Sequence, residues 1–166
     1  VLNADTGLSP STVVVTAPID QIAGAVGAGN LTPGGATETT GSAMAVCAPC
    51  AEPRYDPRRR VSLYRHACPG TYALLPWVPA AGMLLRWFRD TFATRLDFST
   101  LDREAAGIPP GADGMLILPH LTGAFSPETN PAARGVFYGV TLTHTRAHFV
   151  RAILEAVGFM LRDQID

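Results

Sequence analysis

Val136-Phe137-Tyr138-Gly139-Val140-Thr141-Leu142 leads, through a short polar stretch, into Phe149-Val150-Arg151-Ala152-Ile153-Leu154-Glu155-Ala156-Val157-Gly158-Phe159-Met160-Leu161. The first run is short, apolar and rich in β-branched and aromatic residues, which predicts a strand. In the second, Phe149, Val150, Ile153, Leu154, Val157, Met160 and Leu161 recur at i, i+3, i+4 and i+7. That stripe predicts an amphipathic helix. The same alternation repeats toward the N-terminus. Met115–Leu118 reads as a buried strand, and Met83 to Phe92 as a helix that ends before Asp97. Tyr72 to Trp77 reads as a strand, and Thr37 to Val46 as a strand with a glycine bend. Val13-Val14-Val15-Thr16 predicts one more buried strand, broken by Pro18. Asp20 then opens a helix carried by Ile22, Ala23 and Val26, and Gly29-Asn30 supplies its stop. Glu52–Arg60, Ala105–Asp113 and Thr122–Arg134 are rich in proline, glycine or charge and read as loops. Strands and helices alternate throughout, so the fold class is α/β.

The chain has 166 residues, 13 basic against 14 acidic, and a formal net charge of −1. That length suits one domain, or one domain with an appendage, and the 47% apolar content is enough for a core. The turn-rich junction Asn30–Gly35 is the expected domain boundary, separating residues 1–34 from 35–166. The chain begins without Met in what reads as a loop and stops at the end of a helix, so a piece of a longer protein is expected. All thirteen basic residues are Arg. Without a lysine amine, a Walker P-loop, a protein-kinase strand lysine and Schiff-base chemistry are excluded for this chain. The near-neutral balance argues against nucleic acid as a partner. No apolar run is long enough to span a membrane, and Val1-Leu2-Asn3-Ala4-Asp5 does not read as a signal peptide. Three cysteines suit a reducing compartment, so the expected address is the cytoplasm.

Several residues could carry chemistry. Asp20, at a strand-to-helix transition, is either a general base or magnesium ligand at the mouth of a cleft, or a helix N-cap; spacing alone favours the cap. Thr39-Thr40-Gly41-Ser42 combines hydroxyls with a glycine that lets backbone amides approach a phosphate; it is equally a polar hairpin turn. Cys47, Cys50, His66 and Cys68 have the inventory of a zinc site, but the His-x-Cys spacing is irregular and Cys47 ends an apolar run. Arg58-Arg59-Arg60 reads as a solvated loop balanced by Glu52 and Asp56, and His120, His144 and His148 as packing or capping residues.

Residues 135–155, with Gly135, Phe137, Gly139, His148, Phe149 and Ala152-Ile153-Leu154-Glu155 at their places, resemble the C-terminal signature of the FGGY carbohydrate kinases, of the xylulokinase type. Pro119-His120-Leu121-Thr122-Gly123 and Asn130-Pro131-Ala132-Ala133-Arg134-Gly135 resemble the family's stretch LPxLxGERxPxxDPxARG. Thr16 to Gly29 is similar to the segment with the catalytic aspartate, and Ala81-Gly82 with Leu85-Arg86-Trp87 to the GGxxLxW helix. Two departures stand out: GER reads Gly123-Ala124-Phe125, and LGTSG reads Thr39-Thr40-Gly41-Ser42-Ala43.

The resemblance implies a partial actin-like, ribonuclease-H-like fold. Residues 1–34 would end the N-terminal, sugar-binding lobe, and 35–166 would begin the C-terminal, ATP-binding lobe. It implies ATP and magnesium as cofactors and phosphoryl transfer to a sugar hydroxyl, with D-xylulose the expected sugar. Asp20 would be the base, Gln21 a sugar contact, and Thr40, Gly41 and Ser42 the phosphate loop. A homodimer is the expected assembly, and the isolated chain is expected to be inactive. The competing reading is a non-catalytic actin-like lobe that binds a partner.

Overall fold

The computed structural model describes residues 5–166; residues 1–4, on which the reading of the N-terminus partly rests, lie outside them. Helix α1 (Asp20–Gly27) is followed by β1 (Thr37–Thr40), β2 (Met44–Cys50), β3 (Ser62–Arg65), β4 (Tyr72–Leu75) and β5 (Trp77–Val78). Helices α2 (Gly82–Phe92) and α3 (Phe98–Ala106) lead through a 3-10 turn to β6 (Leu116–Leu118), β7 (Val136–Tyr138) and the long α4 (Arg146–Ile165).

The five strands β1 to β5 form one antiparallel sheet in the order β1-β2-β4-β3, with β5 also pairing β2. Strand β2 is the centre, and almost every residue of it is buried. Its Met44 and Cys47 stand three positions apart and therefore face opposite sides of the pleat. On one side, Cys47, Ala73 and Leu75 pack under Ile22 and Ala25 of α1. On the other, Met44 and Val78 join the main core with Leu84 and Phe88 of α2, Leu101 of α3, and Val150 and Ile153 of α4. Coverage on both faces is why β2 reads as a continuous apolar run. The β6–β7 ribbon contributes Ile117 to the same core.

The helices at 82–92 and 146–165 and the loop at Glu52–Arg60 fall where the pattern predicts them. Other expectations need correction. Val13–Thr16 is not a strand: Val13, Val14 and Val15 are 81%, 67% and 78% exposed. β-Branched residues favour a sheet only beside a partner, and among the described residues none pairs with this run. Tyr72–Trp77 is split into β4 and β5 around Pro76, which has no N–H for the ladder. Strand β6 is half exposed rather than buried, because Leu116 and Leu118 face away from the core. Strand β7 ends at Tyr138, where Gly139 turns the chain at φ +78°. Strand β3 and helix α3 were not anticipated.

Candidate active site

Helix α1 is anchored at its C-terminal end. Gly29, at φ +82°, turns the chain out of the helix, and Asn30 Nδ2 then donates to Thr37 Oγ1 at 3.1 Å and to Cys47 O at 3.0 Å. These bonds tie the helix to β1 and β2 and so fix where its N-terminus points. Asp20 is the first helical residue; the cap position belongs to Ile19 and no side chain caps it. The N-cap reading of Asp20 is thereby corrected. Its Oδ1 accepts the Gln21 amide at 3.0 Å, and the exposed carboxylate has no other hydrogen-bond partner among the described residues. Gln21 Oε1 is buried without a hydrogen-bond partner. A buried amide oxygen left unpaired is costly, which marks it as an acceptor for a ligand donor.

Opposite α1, the turn Gly41-Ser42-Ala43 joins β1 to β2, with Thr40 paired to Met44. Its carbonyls face the N-terminus of α2. Ser42 O accepts from Ala81 N at 2.9 Å and Met83 N at 3.2 Å, and Gly41 O accepts from Gly82 N at 3.0 Å. Helix α2 has no side-chain cap, so the hairpin supplies the acceptors its first amides need. The approach is close: a Cβ on Gly82 would lie 2.3 Å from Gly41 O. With the acceptors turned inward, the Ser42 and Ala43 amides have no backbone or side-chain partner among the described residues. Amide donors at a turn are suited to anionic oxygens.

Asp20, Gln21, Gly41 and Ser42 line a single cleft of about 500 Å³. Thr39 lines it where Thr40 was expected; the Thr40 hydroxyl donates to Glu38 Oε1. Tyr64 and Trp77 complete the wall, and sequence reasoning missed both. Their pairing with Ala73 and Ala45 places them on the sheet face that carries α1, and that register is invisible in a linear pattern.

The cysteines lie elsewhere. Cys47 and Cys50, three apart on β2, point to opposite faces, and burial pushes the Cys47 thiol pKa up. His66 Nδ1 accepts the Cys68 amide at 3.1 Å. Among the described residues no group of three His, Cys, Asp or Glu is placed to hold a metal. Arg60 is paired with Asp56 at 2.8 Å in its loop. His148 caps α4 through Thr145, and its Nε2 lies 3.1 Å from Asp113 Oδ2.

Residues 45–166 match the model of the C-terminal domain of the FGGY family of carbohydrate kinases. A xylulose kinase of Bacillus subtilis is 33% identical over 163 residues, covering 98% of this chain and 33% of that protein. A gluconokinase of the same organism is 32% identical over 93% of this chain and 32% of its own length. The crystal structure of a xylulose kinase from Rhodospirillum rubrum superimposes with a TM-score of 0.82 at 36% identity, over 98% of this chain and 33% of that one. The chain thus spans about a third of the length of these relatives. Structural neighbours of this kind establish the actin-like, ribonuclease-H-like fold, in part, for the described residues. On sequence and on structure alike, this chain belongs to the FGGY family of carbohydrate kinases.

Proposed function

We propose that the protein carrying this chain is an ATP-dependent carbohydrate kinase whose substrate is D-xylulose. The observation that supports it is the cleft in which the carboxylate of Asp20 and the open amides of the Gly41–Ala43 turn line the same space. Asp20 is the base, Gln21 a sugar contact, and Thr40, Gly41 and Ser42 belong to the phosphate loop. The sugar hydroxyl oxygen bonds to the γ-phosphorus as the bond from that phosphorus to the β-bridging oxygen breaks. The hydroxyl proton passes to Asp20, and ADP leaves. A carboxylate is a weak base, but a loose transition state needs little activation of the nucleophile, so a positioned Asp taking the proton late suffices. The Ser42 hydroxyl and the amides of Ser42 and Ala43 donate to phosphate oxygens as charge shifts.

Among the described residues Asp20 is the single carboxylate lining the cleft. Magnesium keeps most of its waters and takes one or two carboxylates together with substrate phosphates, so this donor set fits a metal-nucleotide complex. When bound, the ion would neutralise charge on the β- and γ-phosphates.

Residues 1–34 close the N-terminal lobe and 35–166 open the C-terminal one in this reading, supported by the match of a C-terminal-domain model from residue 45. The same reading assigns the protein to the cytoplasm as a homodimer and makes the isolated chain inactive. No helix among the described residues is long and apolar enough to cross a membrane.

Asp20→Asn in the complete enzyme tests it. The side chain is exposed and accepts one bond, from the neighbouring Gln21 amide, so melting should be unchanged. The chemical step should slow by ~10²–10⁴-fold. Normal turnover in a folded variant would place the base elsewhere, and no turnover of any sugar by the wild type would favour a non-catalytic binding lobe.

A further inference from the structure

The cleft carries one charge. Among the described residues Asp20 is the one acidic side chain that lines it, and no Arg borders it. Across from it stands Trp77, on β5, cross-strand from the buried Ala45. A tryptophan is the largest apolar side chain, yet this one remains 41% exposed. Tyr64, 36% exposed, adds a second ring to the same wall.

Trp77 is braced from behind. The Phe125 ring packs against the indole with centroids 5.4 Å apart and planes tilted by 40°. Phe125 in turn is held by its neighbours. Ala124 exchanges two backbone bonds with Asn130, each 2.9 Å, and Ser126 O accepts from Gln164 Nε2 at 2.9 Å. The Ser126 hydroxyl donates to Arg60 O at 3.1 Å. Offset, tilted ring pairs of this kind restrain both partners beyond their burial. The indole is therefore a fixed surface in the wall of the cleft that Asp20 also lines.

An aromatic face is electron-rich, and the C–H hydrogens of a sugar carry a small positive charge that complements it. A neutral ketose or sugar alcohol can lay its carbon backbone on such a ring while its hydroxyls reach Asp20 and the unpaired Gln21 Oε1. A sugar acid cannot do so cheaply. Its carboxylate would meet the negative ring face and the Asp20 carboxylate, with no cation among the described residues of the wall to pair it, and an unpaired charge is costly to desolvate.

We propose that Trp77, braced by Phe125, is the specificity-determining wall of the sugar subsite, selecting neutral sugars over sugar acids. This rests on the kinase reading above. Both substrate types are represented among the relatives, which include a xylulose kinase and a gluconokinase.

The test uses the complete enzyme with wild type, Trp77→Phe, Trp77→Ala and Phe125→Ala. KM and kcat are measured for D-xylulose, D-gluconate and ATP, beside melting temperature. In Trp77→Ala the KM for D-xylulose should rise about tenfold, the size of one lost aromatic contact. Its kcat and ATP KM should stay close to wild type, and its melting temperature should fall only by what the lost Phe125 contact contributes. Trp77→Phe should keep most of the affinity, and Phe125→Ala should shift the sugar KM in the same direction by less. D-Xylulose should also change the tryptophan emission of the wild type, and the change should be smaller in Trp77→Phe.

An unchanged sugar KM in Trp77→Ala, with the wild type active, overturns this inference and leaves the kinase reading standing. A wild type that prefers D-gluconate overturns this inference and the assignment of D-xylulose together, and leaves the carbohydrate-kinase activity standing. A parallel rise in ATP KM with a lower melting temperature would show Trp77 to be a folding residue only. A wild type that turns over no sugar refutes both readings.

Discussion

Gly82→Ala probes how the phosphate hairpin is held. The glycine has helical geometry, so alanine meets no backbone conflict and helix propensity favours it by up to about 1 kcal/mol. Opposing this, the added Cβ would lie 2.3 Å from Gly41 O, where ordinary contact begins near 3.4 Å. Hairpin and helix must separate by roughly 1 Å to relieve an overlap of this kind. The three bonds from Ala81, Gly82 and Met83, now 2.9, 3.0 and 3.2 Å long, would then pass beyond hydrogen-bonding distance. At about 1 kcal/mol each they outweigh the propensity gain, for a net loss of about 2 kcal/mol. In a chain of this size that lowers the melting temperature by ~4–8 °C. Thermal unfolding followed by circular dichroism reads it directly. Gly158→Ala is the control, because nothing lies within 4 Å of a Cβ there in the interior of α4. It should melt slightly higher than wild type. If Gly82→Ala melts at the wild-type temperature, the close approach of helix and hairpin is not what holds the turn.

Leu101→Ala removes a fully buried side chain from the junction of α3 with the main core and should cost about 2–5 kcal/mol in chemical denaturation. The carboxyls of Asp56, Asp97 and Glu104 are held below their usual range, chiefly by side-chain bonds from Arg60, Thr100 and Arg146 respectively. A depressed carboxyl contributes stability that is present above its unfolded pKa and disappears as pH falls through the folded one. Melting temperature should therefore drop on acidification below about pH 4, and Glu104→Gln should flatten that slope. Thiol titration should label Cys68 first and Cys47 only on unfolding, since Cys47 is 2% exposed and its thiolate is disfavoured by burial. Rapid labelling of Cys47 in the folded chain would contradict its place beneath α1.

Where a single residue's local environment suffices, the structure agrees with the linear reading. Asp20 opens α1, Gly29 ends it, and the stripe from Phe149 to Leu161 lies within α4. Helix α3 escaped notice although its signal is local: Asp97 Oδ1 accepts the Thr100 amide at 2.7 Å, and Leu101 and Ala105 are its buried face. Nine residues hold too few apolar positions for periodicity alone to stand out. Strand β3 was missed because its burial comes from pairing with β4, and only Leu63 is partly covered. Val13–Val15 misled in the opposite direction, having strand composition without a neighbour to bond.

Alternating polarity, capping residues and turn glycines act over a few residues, so the amino-acid order alone determined the helices at 20–27, 82–92 and 146–165 and the family signature at 135–155. Register acts across the chain, and no local pattern encodes it. The pairing of Ala45 with Trp77 and Ala73 with Tyr64 set two rings beside Asp20, forty or more positions away. The docking of α2 on the Gly41–Ser42 carbonyls turned the hairpin amides outward. Both follow from satisfying every buried amide and covering both faces of β2 at once, a condition that exists only after the sheet and helices have packed together.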